Sequence, residues 1–326
     1  MTCITRRHFL GVLAIAPFTP DSAWAQSDWP SRTIRIVVPY PAGGTPDVAT
    51  RVLAEQLGPI LKTSVIVEAK PGASGLIGMR AVTASPADGH TIGYVSSGQV
   101  TLTAMNPKFD LMKELKPVAR VTGSPFVVLV AANSPYRALT DLIKSVKANP
   151  GKLAYGTAGS GSPAHMAVAY MEDGIKDFKA LHVPFKGAVE SINAILAGQI
   201  DFTIGVLGAA IPHIKAGRLR ALAVTPAKRV ALLPEVPTIA EAAQIDYEFQ
   251  SWGGFVAPAG TSDAIIERMS KAIVQAANSD SFAKYLASVG GELDVIAVPA
   301  EFGRRLQSSI ATEKRIVEKL GLKESA

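Results

Sequence analysis

The sequence predicts an α/β protein folded as two lobes with a cleft between them. Three observations carry that expectation. Short β-branched runs alternate with helix-period segments along most of the chain, the pattern of a parallel sheet covered by helices. The alternation comes in two successive series, the second opening at PFVVLVAA, residues 125–132. Beyond residue 228 the chain turns proline-rich and then long-helical, as a segment returning to complete the first series would. The lobes suggested are 26–122 with 228–326 for one and 123–227 for the other. One large doubly wound sheet is the alternative arrangement.

The elements follow in order. TIRIVVPY at 33–40 is rich in β-branched residues and ends at a turn signal, which marks a strand. The helix pattern DVATRVLAEQLGPIL follows, then the strand SVIVEAK, the helix LIGMRAVTAS and the strand HTIGYVSS. In the second series the helix ALTDLIKSVKANP carries Thr140 and Asp141 near its start. KLAYGTAG, KALHVPF, IDFTIGV and LRALAVTP read as strands, with SPAHMAVAYMEDG, AVESINAILAG and AAIPHIKAG as the helices between them. After the proline-rich PEVPTIAEAA, FQSWGGFVAPAG is a strand, and SDAIIERMSKAIVQAANS is a strongly periodic helix opening at a Ser/Asp cap. DSFAKYLASVG, the strand ELDVIAV and a charged amphipathic helix from Pro299 to Lys319 complete the chain.

With 326 residues, 48% of them hydrophobic and 18% charged, the chain has enough apolar material for two cores. After the amino terminus no apolar run reaches the ~18 uncharged residues that span a bilayer. The start itself, ITRRHFLGVLAIAPFTPDSAWAQ, has paired arginines, a short apolar run and Ala23-Trp24-Ala25 before Gln26. That is the layout of an export signal occupying residues 1–25, of the twin-arginine or the ordinary secretory type. Cys3 is the sole cysteine and lies inside that segment, ahead of the apolar run. The mature chain is thus expected to have no disulfide, thiol nucleophile, cysteine metal ligand or lipid anchor. Removing Arg6, Arg7 and Asp21 lowers the formal charge from +6 to +5. A mildly basic exported protein suits small anions or an acidic envelope surface. No basic run carries interleaved aromatics, so nucleic acid is not an expected partner.

Ligands of parallel βα units collect at the carboxyl ends of strands, against helix N-termini. Five such junctions stand out. In Tyr40-Pro41-Ala42-Gly43-Gly44-Thr45-Pro46-Asp47, paired glycines let backbone N–H groups approach an anion, and Asp47 completes the helix start. The same residues also describe a plain tight turn. Ser96 and Ser97 end the strand after Tyr94. Thr157, Gly159, Ser160 and Ser162 form a Gly/hydroxyl loop before a helix carrying His165. Phe185 and Lys186 follow His182, and Gly205 to Gly208 follow Asp201. Lys186 is the one cation at a junction, either solvated or in touch with a ligand. Trp252 and Phe255 read as core or cleft lining. The junctions together offer hydrogen-bond donors without an obvious catalyst. Ser160 or Ser162 with His165 raises a hydrolase reading, but no G-x-S-x-G elbow is present. The histidines show no metal-binding spacing, and no nucleotide fingerprint occurs, so neither a metal nor a cofactor is expected.

The ordered set VVPYPAGGTPDVATR, KPGASGLIG, SPADGHTIGYVSSG, YGTAGSGSPAHMA, HVPFKGA, ILAGQIDF, IKAGRLRALAVT, LPEVPTIAEA and SWGGFVAPAGT resembles the Bug family of periplasmic solute-binding proteins. These proteins serve tripartite tricarboxylate transporters, and the resemblance spans residues 30 to 322. It implies a type II periplasmic-binding fold closing on a small organic anion, a mono- or dicarboxylate, and a monomeric receptor that works with membrane permease subunits. It further implies two pincer loops from opposite lobes: Tyr40, Ala42, Gly43, Gly44, Thr45 and Asp47 on one side, with Thr157, Gly159, Ser160 and His165 facing them. Asp201 and the strand end after it match another cleft position, and Ser96, Ser97 and Phe185 at the junctions above complete the expected site. The chain departs from the family pattern at Ala69-Lys70, in a shortened stretch around 105–121, and at Pro163. A receptor for a two-component sensor kinase is the alternative role.

Overall fold

The computed structural model of the chain describes residues 29–322 except Lys186. The export signal, Cys3 and the expected cleavage before Gln26 lie outside the described residues, as does Lys186.

The first half of the chain runs β1 (Ile34–Val38), α1 (Thr45–Leu61), β2 (Val65–Ala69), α2 (Leu76–Thr83), β3 (Thr91–Ser96), α3 (Ser97–Met105), α4 (Leu111–Glu114) and β4 (Leu115–Ser124). Next come β5 (Phe126–Ala131), α5 (Leu139–Ala148), β6 (Ala154–Thr157), α6 (Pro163–Gly174), β7 (Leu181–Pro184), α7 (Ala188–Leu196), β8 (Phe202–Val206), α8 (Leu207–Lys215) and β9 (Leu219–Val224). The chain ends with α9 (Ile239–Ala243), β10 (Ser251–Pro258), α10 (Asp263–Ala277), α11 (Asp280–Ser288), β11 (Glu292–Ile296) and α12 (Pro299–Leu320). They build two sheets, ordered β11-β4-β10-β3-β1-β2 and β7-β6-β8-β5-β9.

Both sheets are mixed, where the alternation predicts parallel ones. β1 pairs parallel with β2 and β3, and β6 with β7 and β8, as βαβ crossovers require. β10 inserts antiparallel between β3 and β4, and β5 inserts antiparallel between β8 and β9. The reason is topological: each inserted strand enters its sheet from the other lobe and therefore from the opposite end.

β4 and α3 are among the elements with no counterpart in the sequence pattern. β4 contains Lys116, Pro117 and Arg120, which obscure its alternation, yet it pairs on both edges with β10 and β11. α3 is rich in β-branched residues, and its start is secured by a capping box in which Ser96 and Gln99 exchange hydrogen bonds.

Each sheet is covered on both faces. α1 buries Ala49, Leu53, Leu57 and Leu61, a stripe at i, i+4, i+8 and i+12, against β1 and α10. Phe126, Tyr155 and Phe202 pack under α6 in the second lobe. α12 straddles the lobes: Phe302, Leu306 and Ile310 enter the first core, while Ile316 and Val317 enter the second. Val230, Leu233 and Val236 pack with Val127 and Leu129, and Tyr247 and Phe249 join the core under α6. We therefore place the return to the first sheet at residues 249–251, not at 228. Among the described residues, the passages at Ser124–Phe126 and 249–251 carry the chain between sheets, with α12 spanning behind them. Among the described residues no helix is long and apolar enough to cross a membrane.

Candidate functional site

The carboxyl ends of β1, β3, β6 and β8 face one space between the lobes, where a cavity of about 510 Å³ opens. Tyr40, Thr45 and Pro46 line it from the first lobe, and Thr157, Ser162 and Pro163 from the second. Its floor is made by the crossovers, through Ser124, Phe126, Ser251 and Trp252. A second cavity of about 430 Å³ shares Tyr40, Ala158, Ser162 and Pro163 and adds Ser160, Thr101 and Met105.

The first loop is braced by charge. The Asp47 carboxylate is 2% exposed, accepts the Gly43 N–H at 2.9 Å, and accepts two bonds from Arg51 at 3.0 Å. The Arg51 guanidinium, helped by the Gly43 N–H and opposed by burial, holds Asp47 below the usual carboxylate range. Gly43 needs to be glycine, with φ at 79°, whereas Gly44 is the helix N-cap at an ordinary φ of −71°. Gly43 and Gly44 N–H are both spent inside the loop, on Asp47 and on Pro41 O. The Thr45 amide, in the first turn of α1, has no intrahelical acceptor, and its residue lines the cavity. Tyr40 closes the loop's other side, its hydroxyl 2.6 Å from Ser96 Oγ.

The second loop is braced by neutral rings. His165 is 6% exposed and stacks on His182 with centroids 4.0 Å apart and planes 9° apart. Its Nδ1 accepts the Gly161 N–H at 3.0 Å, which requires an unprotonated nitrogen. Burial, then the neighbouring His182, pushes the His165 pKa down to about 4, so the ring is neutral at pH 7. Thr157 Oγ1 lies 2.6 Å from His182 Nε2 and accepts the Gly159 N–H at 3.2 Å. Ser162 caps α6 by accepting the His165 N–H. With Pro163 at the first position, the Ala164 amide is the outward donor of this helix.

The expected site residues thus divide. Tyr40, Thr45, Ser96 and Thr157 line the main cavity and Ser160 the second one. Ala42, Gly43, Gly44, Asp47, Gly159 and His165 line neither; of these, Gly43, Gly44, Asp47, Gly159 and His165 hold the loops in shape through the bonds above. Phe185 packs behind β6, close to Gly156. Two expectations need correction. Ser97 faces away from the pincers, bonding Ser251 and lining a pocket of about 190 Å³ behind the crossovers with Arg120 and Glu313. Asp201 sits before β8, its carboxylate on the Ala154 N–H, roughly 16 Å from the strand's cleft end at ~3.3 Å per residue. Sequence reasoning passed over Tyr94, Ser124, Phe126, Ser191, Thr203 and Leu286 in the cavity wall. Only Thr203 left a signal, a lone hydroxyl inside the apolar FTIGV.

Two α/β lobes joined by two crossovers, with helix N-termini from each lobe meeting over a ligand-sized cleft, define the class of periplasmic solute-binding proteins. The comparisons agree. The family model for the tripartite tricarboxylate transporter family receptor matches residues 49–322. The UPF0065 protein in the tcbD-tcbE intergenic region of Pseudomonas sp. (strain P51) is 35% identical over 291 residues, 88% of this chain and 86% of that one. Protein BugT of Bordetella pertussis is 32% identical over 94% of this chain and 93% of its own length. A ligand-free TctC solute-binding protein from Polaromonas superposes with a TM-score of 0.80 at 28% identity, over 90% of this chain and 100% of that one. R. palustris Rpa4515 with adipate gives 0.77 at 30%, over 91% and 99%. The chain belongs to the tripartite tricarboxylate transporter receptor family. It is a solute-binding protein and not an enzyme.

Proposed function

We propose that this protein is exported to the periplasm, captures a small carboxylate by closing its lobes, and delivers it to the membrane permease of a tripartite tricarboxylate transporter. The observation that carries the reading is the opposition of two helix N-termini, α1 and α6, across one cavity. Their first-turn amides at Thr45 and Ala164 come from different lobes, so an anion bridging them holds the lobes together. A micromolar ligand needs about 8 kcal/mol net. Charge-assisted hydrogen bonds contribute roughly 1.5–3 kcal/mol each before desolvation and closure are offset, so donors from both lobes are required. The adipate-bound neighbour, a dicarboxylate complex on the same fold, supports this choice of ligand class.

A thermal-shift screen of carboxylates tests capture: a ligand at 100 times its Kd stabilises by about 2.7 kcal/mol. Thr45→Pro removes one amide at a position where proline suits a helix start and where Gly44 is already extended. We expect at least tenfold weaker binding, and full affinity in that variant would remove the first loop from the site. Delivery predicts that uptake of the identified ligand requires both this protein and the permease subunits. Uptake that persists without the permease would reject it.

A further inference from the structure

We infer that the ligand is a monocarboxylate whose remaining body is uncharged and apolar, held against the wall formed by Phe126, Trp252, Leu286 and Val289. The inference deepens the carboxylate reading above and rests on it. Among the described residues lining either cavity, none carries a charged side chain. The hydroxyls of the main cavity are largely occupied with one another. Tyr40 pairs with Ser96, Ser191 with Thr203 at 2.7 Å, Ser251 with Ser97 at 3.1 Å, and Tyr94 with Thr122. Thr203 also donates to Gly156 O. Beyond the two pincer loops, then, the cavity presents carbon, these hydroxyl pairs and the Ser124 hydroxyl.

The prolines reinforce this. Pro46 and Pro163 stand in the first turns of the two pincer helices and line the cavity with rings where other residues would bring amides. One carboxylate can be held by the outward amides. A second would be buried without a partner, which is strongly unfavourable, whereas an apolar body gains from the removal of carbon surface from water. The Arg120 guanidinium lies over the Trp252 ring, pairs with Asp294 and lines the pocket behind the crossovers instead.

The test is calorimetric titration of the purified protein with matched pairs that differ by one carboxylate: hexanoate against adipate, and benzoate against terephthalate. In whichever pair binds, the monocarboxylate is expected to bind at least tenfold tighter. Equal or tighter dicarboxylate binding would overturn the inference and leave the carboxylate reading standing. No binding by any carboxylate, with the protein folded by circular dichroism, would overturn that reading itself. Val289 is half-buried at the end of α11, where a lysine stem can lie along the wall. Val289→Lys should narrow the ratio within each pair at least threefold, and an unchanged ratio would overturn the assignment of this wall.

Discussion

The two pincer loops do the same geometric job by different chemistry. Both place a helix N-terminus on the cleft, both spend most of their glycine amides internally, and both have a proline in the helix's first turn. The first is locked by an ion pair whose carboxylate is buried and whose guanidinium is half exposed. The second is locked by two stacked histidines, of which His165 must stay neutral to accept the Gly161 N–H. An ion pair reaching solvent is weakened by salt and survives mild acid. A buried neutral imidazole is indifferent to salt and vulnerable to acid. The lobes therefore differ in what disturbs them, although both present a helix N-terminus to the cleft.

The largest expected effect tests the second brace. His165→Ala removes a buried ring and orphans the Gly161 N–H, and should destabilise by about 3 kcal/mol in urea denaturation at pH 7. A loss below ~1 kcal/mol would mean that the stack is not a brace.

Next comes acid. The folded pKa of His165, about 4, lies below the unfolded value of 6.5, so the unfolded chain binds the extra proton in between. Its contribution is complete above pH 6.5 and is lost as pH falls toward 4, by up to about 3 kcal/mol. His182, also lowered by burial, acts in the same direction. Asp47 is depressed, so its contribution declines only below the usual carboxylate value. Stability measured at pH 7, 5.5 and 4.5 should fall in the wild type and fall less in His165→Gln. Parallel curves for the two would assign the acid sensitivity elsewhere.

Asp47→Asn keeps the shape of the first brace and removes its charge. We expect a loss of about 1–2 kcal/mol in low salt that shrinks in 1 M salt, against no salt dependence for His165→Ala. Salt-independent loss at Asp47 would erase the contrast between the loops. The smallest effects separate the paired glycines. Gly43→Ala forces a side chain into the left-handed region and should cost about 1 kcal/mol. Gly44→Ala must displace Pro41 O, 3.2 Å from the new Cβ, and should cost only a few tenths of a kcal/mol, roughly. Thermal melts of the two variants decide the order.

The first loop was legible because its signals are local. Strand, glycine turn, proline and first-turn acid lie within residues 34–51, and Arg51 is one helical turn from Asp47. The second loop was half legible: its glycines and Ser162 cap are adjacent, but His165 meets His182 across 17 residues of chain, by way of β6 and β7. Asp201 misled because a residue before a strand and a residue after it look equally close in sequence, while the strand separates them.

The sequence by itself determined the alternation of elements, the export-signal pattern, the family and the two pincer turns, since each depends on periodicity, capping or residues within one helical turn. Tertiary structure alone decided the antiparallel insertion of β5 and β10, the pairing of β4 despite Pro117, and the floor built from Ser124, Phe126, Ser251 and Trp252. Those floor residues come from two crossovers 127 residues apart, at 124 and 251. No local pattern links them, because the contact exists only once both lobes have folded and the chain has passed twice through the same hinge.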